Sequence, residues 1–179
     1  MKIGRTANWL LSNERPKNAK VSTIVLHHDG GASDKSGLNY LIALWRAYKP
    51  GGKTKAASYH FYVGRNGEIT KCVPISRRAW HCGVSTGPDG PDVNDYSIGI
   101  CLANRGDGEP YSDAQIKAAL WLCNTPLYVG QPSIRWITTH RLICEPNGRK
   151  VDPAHFDFIQ FGGDTEFTLW RIAGRAWNG

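Results

Sequence analysis

Val21-Ser22-Thr23-Ile24-Val25-Leu26-His27-His28, residues 21–28, is a β-branched apolar run closed by Asp29-Gly30-Gly31. A run of this length that ends in a turn signal reads as a buried strand. It delivers two histidines to the strand's carboxyl end. Downstream, Leu38, Leu41, Ile42, Leu44 and Trp45 recur at helical spacing, which predicts an amphipathic helix over 36–48, stopped by Pro50-Gly51-Gly52. Two β-rich runs, 59–63 and 68–73, flank Arg65-Asn66-Gly67, and an Asn-Gly between such runs predicts a hairpin. Residues 97–102 read as another buried strand. Ser112-Asp113-Ala114-Gln115 matches the capping box S-x-x-Q, and Ile116, Ala119, Leu120 and Cys123 follow at helical spacing, so a second helix starts near Asp113. Residues 134–139 predict a strand leading to His140. The order β-α-β-β-β-α-β implies an α/β (α+β) fold, a central mixed β-sheet flanked by helices.

Composition agrees with a single folded unit. A chain of 179 residues, 41% hydrophobic and with seven Trp, suits one domain spanning 1–179 and leaves little room for a second. Its 20 Gly and 10 Pro lack a period, which excludes collagen-like and low-complexity readings. No apolar run approaches the ~20 residues of a membrane span. Residues 1–20 hold only the short Trp9-Leu10-Leu11 cluster where a signal peptide would carry its apolar core, so a soluble protein made in the cytoplasm is expected. The formal charge of +7 draws the surface towards polyanions: nucleic acid, anionic lipid or wall polymers. Neither a clustered basic stretch nor a helix-turn-helix or RNP pattern is present, so nucleic acid is not the expected partner. Cys72, Cys82, Cys101, Cys123 and Cys144 are odd in number and show no C-x-x-C spacing, which argues for reduced thiols over a disulfide framework or a four-cysteine zinc site.

A catalytic metal needs ligands that converge from separate elements while one position stays open. His27 and His28 end one predicted strand and His140 another, and Lys150-Val151-Asp152 follows on a Gly/Pro-bearing loop. Two histidines and a carboxylate would make such an open site. A histidine at a strand end is, however, more often a hydrogen-bonded packing residue, and spacing alone leaves both readings open.

The stretches IVLHHDGG (24–31), SYHFYVGRNGEI (58–69), RAWHCGVS (78–85), NDYSIGICLAN (94–104), and TTHRLI with GRKVDPAHFDF (139–158) together resemble the zinc-dependent N-acetylmuramoyl-L-alanine amidase type 2 family. That family includes phage lysozyme-type endolysins, cell-wall recycling amidases and peptidoglycan-recognition proteins. The resemblance runs from about 21 to 158 and leaves both ends of the chain uncovered. It implies a Zn2+ held by His27, His140 and Asp152. Cys144, four residues after His140, competes for the third place, but Asp152 sits in the motif GRKVDP and Cys144 does not. Tyr59 and Lys150 resemble the catalytic tyrosine and lysine of the endolysin and recognition-protein branch, both hydrogen-bond donors at neutral pH. His28 is expected as a pocket neighbour, because adjacent strand residues point to opposite faces. His81 either lines the substrate groove or packs beneath it. Asn94 and Ser97 are expected to serve turn and strand structure.

One departure stands out. Recycling amidases carry Glu in the strand after S-I-G-I, where this chain has Cys101. The pattern therefore leans towards a phage-type endolysin that cuts the amide between N-acetylmuramic acid and the L-alanine of the stem peptide, made in the cytoplasm and acting on the wall as a monomer. The alternatives are a cytosolic recycling amidase on muropeptides and a non-catalytic peptidoglycan-binding module.

Overall fold

The computed structural model describes residues 3, 5–6, 11–51 and 56–177. Seven strands form the main sheet: β1 (Arg5–Thr6), β2 (Thr23–His28), β3 (Phe61–Val63), β4 (Ile69–Lys71), β5 (Ser97–Leu102), β6 (Trp136–Thr139) and β7 (Thr168–Leu169). Their spatial order is β1-β4-β3-β5-β2-β6-β7. Only the β3–β4 hairpin is antiparallel; β5, β2, β6 and β7 run parallel to one another, and β3 runs parallel to β5. Parallel strands covered on both faces need continuous apolar runs. That is why β2 and β5 are buried along almost their whole length.

Helix α1 (Asp34–Ala47) covers one face and α2 (Asp113–Leu122) the other. Leu41 of α1 packs with Tyr62 and Cys101, whereas Ala118, Ala119 and Leu122 of α2 pack with Ile24, Leu26, Ile98 and Ile100. The first helix starts two residues earlier than its apolar spacing predicts. Ser33 caps it reciprocally with Ser36, each hydroxyl accepting the other residue's backbone N–H. Trp45, counted on the apolar stripe, is 42% exposed.

The second helix begins as predicted, and Ser112 Oγ accepts the Gln115 N–H. Gln115 does not complete the box. Its side chain turns inwards, where Nε2 donates to the carbonyls of Val63 and Ala103 at 2.9 Å each. The predicted hairpin is present, and its turn needs Gly67: φ is +80°, and a Cβ there would lie 2.7 Å from the Ala114 carbonyl of α2. Two further short helices, α3 (His140–Ile143) and α4 (Phe158–Gly163), and the edge strand β7 carry too little periodicity to be legible in sequence. The five cysteines are free, as their spacing predicts, and all five are buried.

Candidate metal centre

The site forms at the carboxyl ends of two neighbouring parallel strands, where α/β sheets open a crevice. Leu26 of β2 is in register with Thr139 of β6, so the next residue of each, His27 and His140, stand side by side. Their rings lie 4.7 Å apart between centroids. Asp152, on the loop that leaves α3, completes the group: its Oδ2 is 3.0 Å from His27 Nδ1 and 3.0 Å from His140 Nδ1. The three ligand atoms lie within 4.8 Å of one another, and all three residues are buried.

The electrostatics suit a cation. Burial pushes His27 down to about 4 despite the hydrogen bond to Asp152, so its imidazole is neutral at physiological pH and keeps a lone pair to give. Burial would push the Asp152 carboxyl up, but the hydrogen bonds to His140 and His27 outweigh it and hold the group far below the usual carboxylate range. The outer nitrogen of His140, Nε2, donates to the Cys82 carbonyl at 2.9 Å, so Nδ1, beside Asp152, is the nitrogen that a metal would meet. Two imidazoles and an ionised carboxylate are the donor set of an open catalytic metal site.

A groove of about 660 Å³ opens over this group. Tyr59 and Lys150 line it, with His28, Trp80 and Arg149. The Tyr59 ring sits 5.0 Å from that of His27, and burial raises its phenol well above the ordinary value, so the hydroxyl remains a donor. His28 accepts the Ala154 N–H at Nδ1, 3.3 Å, at the groove edge. His81 combines both readings left open for it: it borders the groove, and its ring lies behind His27 with Nδ1 3.0 Å from His27 Nε2. Cys144 is directed elsewhere, its thiol towards the carbonyls of Arg141 and Pro146. Asn94 is structural, as expected: its Oδ1 accepts the N–H groups of His81 and Cys82.

Sequence reasoning missed three parts. The Cys82 carbonyl has no side-chain signature. The Arg149 guanidinium clamps the groove rim by donating to the carbonyls of Cys82, Val84 and Glu145. Arg175, beyond the stretch that carries the resemblance, donates to the carbonyls of Leu142 and Cys144 at 2.8 Å each, at the end of the helix that bears His140.

A mixed α/β sheet with two imidazoles and a carboxylate at its carboxyl edge, under an open groove, presents a candidate metal site of the open, catalytic type. The sequence profile of the N-acetylmuramoyl-L-alanine amidases matches residues 17–155, and the chain belongs to that family and shares its amidase activity. The 1,6-anhydro-N-acetylmuramyl-L-alanine amidase AmpD of Citrobacter freundii is 32% identical over 156 residues, 82% of each chain. AmpD of Salmonella typhimurium strain LT2 is 33% identical over the same length and coverage.

Among solved structures, a selenomethionine AmpD derivative superposes with a TM-score of 0.71 at 28% identity, covering 92% of this chain and 96% of that one. The amidase AmiD of E. coli, in complex with anhydro-N-acetylmuramic acid-L-Ala-D-gamma-Glu-L-Lys, gives 0.66 at 27% identity, covering 91% and 68%. The endolysin LysCS of Clostridium intestinale URNW gives 0.63, covering 93% and 99%, but at 16% identity it shares the fold alone. The leaning towards an endolysin therefore gains no support beyond fold. The recycling alternative accords better with the relatives, although Cys101 departs from the recycling pattern. Among the described residues, no helix is long and apolar enough to cross a membrane.

Proposed function

We propose that the chain is a zinc-dependent amidase that hydrolyses the amide between the lactyl group of N-acetylmuramic acid and L-alanine, acting in the cytoplasm on soluble muropeptides of the 1,6-anhydro type. The observation that carries the metal-dependent reading is the convergence of His27 Nδ1, His140 Nδ1 and Asp152 Oδ2 beneath a groove lined by Tyr59 and Lys150. The names of the 1,6-anhydro relatives support the substrate class.

Zinc held by His27, His140 and Asp152 would supply Lewis acidity, acidifying a water and polarising the scissile carbonyl. The remaining work belongs to the chain. The Tyr59 hydroxyl, kept protonated by burial, donates to the oxygen on which negative charge develops. The Lys150 ammonium, at the groove wall, adds a positive charge for the same oxygen. Cys101 stands in register with His27 and is fully buried, and burial raises its thiol well above the ordinary value. It holds its proton and does not act as a base, so Tyr59 and Lys150 carry more of the catalysis than they would beside a glutamate.

The test compares a soluble 1,6-anhydro-muramyl tripeptide with purified sacculi, reading released stem peptide. The expected result is faster release from the soluble substrate, abolished by chelation, restored by zinc and lost in Asp152→Ala. Comparable release from sacculi would return the endolysin reading. Release from neither substrate by zinc-loaded protein would overturn the function.

A further inference from the structure

The two imidazoles that face Asp152 each have a second nitrogen, and both of these are met by one dipeptide. His27 Nε2 lies 3.0 Å from His81 Nδ1, the two rings edge to face at 87°. His140 Nε2 lies 2.9 Å from the carbonyl of the next residue, Cys82. The dipeptide is itself pinned: Asn94 Oδ1 accepts the N–H of His81 at 3.0 Å and that of Cys82 at 2.9 Å. The His81 ring occupies a seat that Gly99 of β5 leaves empty, since a Cβ on Gly99 would stand 2.7 Å from the ring. Beyond the ring, His81 Nε2 is 3.3 Å from Ser97 Oγ.

Proton placement follows from this chain of contacts. For His27 to offer Nδ1 to a metal, its proton must sit on Nε2, and a buried N–H needs an acceptor. His81 Nδ1 is the acceptor in reach, and it can accept only when the His81 proton sits on Nε2, where Ser97 Oγ takes it. With a metal on His27 Nδ1, the run from Ser97 through His81 to His27 is satisfied by one assignment, both imidazoles neutral, and the Cys82 thiol, 3.1 Å from the same His81 Nδ1, is a second and weaker donor to that nitrogen. For His140, the Cys82 carbonyl can only accept, so no tautomer choice is left.

We propose that the His81–Cys82 dipeptide is the positioning element of the metal centre, with His81 fixing the tautomer and ring orientation of His27 and the Cys82 carbonyl doing the same for His140. His81 is therefore a positioning residue and not a ligand. The inference rests on the metal-site reading above. It also separates two uses of His27, because Nε2, His81 Nδ1 and Cys82 Sγ form a second group that can hold a cation. That group lacks a carboxylate, whereas the group with Asp152 opens on the groove.

Zinc affinity measured by competition with a chromophoric chelator tests this without reference to turnover. Outer partners of metal-bound histidines are worth about 10- to 100-fold in affinity. His81→Phe, which fills the seat without an acceptor, is expected to weaken zinc binding by about that factor. His81→Asn, whose Oδ1 can take the place of Nδ1, is expected to recover most of it. Asp152→Ala serves as the control for the metal-site reading and is expected to lose tight binding altogether.

If Asp152→Ala keeps wild-type affinity, the metal-site reading fails. If it loses zinc while His81→Phe keeps wild-type affinity, the positioning role fails and the metal site stands. Two tightly bound zinc ions in the parent, with one lost in Cys82→Ser, would make His81 a ligand and overturn the proposal. Should His81→Phe not fold, long-range ¹H–¹⁵N spectra of the zinc-loaded parent decide instead: protons on Nε2 of both His27 and His81 are required, and a proton on Nδ1 of His81 refutes the assignment.

Discussion

Tyr59 shows how little of a residue's role lies in the residue itself. A strand tyrosine ordinarily packs its ring and leaves its hydroxyl at the surface; here the ring stands 5.0 Å from His27 on the groove wall, and burial keeps the phenol protonated. A donor that acts only on the developing oxyanion should leave ground-state binding unchanged. Tyr59→Phe is therefore expected to keep its zinc and its KM while kcat falls by about 10²-fold, or about 2.7 kcal/mol of barrier. Steady-state kinetics on the soluble muropeptide check this. A fall in kcat of less than about twofold would remove the hydroxyl from the mechanism.

At the scale of elements, the site depends on short pieces held from outside. The helix bearing His140 is only four residues long, His140–Ile143, too short to be stable by its own hydrogen bonds. Arg175, 8% exposed and far along the chain, donates to the carbonyls of Leu142 and Cys144 and pairs with Glu145 at 3.0 Å. Arg175→Ala would strand two buried carbonyls, a loss of about 2–3 kcal/mol. The melting temperature is expected to drop by roughly 5–10 °C for a chain of this size. Thermal unfolding of the zinc-free protein is the measurement. An unchanged midpoint would mean that the tail is dispensable and that the helix is secured by β6 and the Asp152 loop alone.

Across the whole molecule, the largely aliphatic core also holds buried imidazoles beneath the centre. His60 is fully buried; its Nδ1 accepts the Gly99 N–H and its Nε2 donates to the Arg77 carbonyl, each at 3.0 Å. Burial pushes it down to about 3, below the 6.5 of an unfolded histidine. Between those values the unfolded chain binds the extra proton. The stability His60 confers is thus complete above pH 6.5 and is lost as the pH falls towards 3, with a slope of about 1.4 kcal/mol per pH unit. His27, pushed down to about 4, adds to the same window in the zinc-free protein. Urea unfolding of zinc-free protein between pH 7 and pH 4.5 should show stability falling with acid, and His60→Asn should be shallower by about one proton. Equal slopes for parent and variant would show that His60 titrates alike folded and unfolded.

What the sequence determined by itself were the local and repeated features. The apolar runs of β2 and β5, the Asn-Gly hairpin, the Ser112 cap and the strand end at His140 are each encoded within a few neighbouring residues. The motif series also named His27, His140 and Asp152 before any geometry was at hand. Tertiary structure alone decided the rest, because the deciding partners are distant in the chain or lack a side-chain signature. The register of β2 against β6 sets His27 beside His140, the seat over Gly99 turns His81 towards His27, and the backbone carbonyl of Cys82 orients His140. Gln115 left its expected cap for the same reason: two strand carbonyls, brought to it only by folding, take both protons of its amide and hold the side chain away from the helix end.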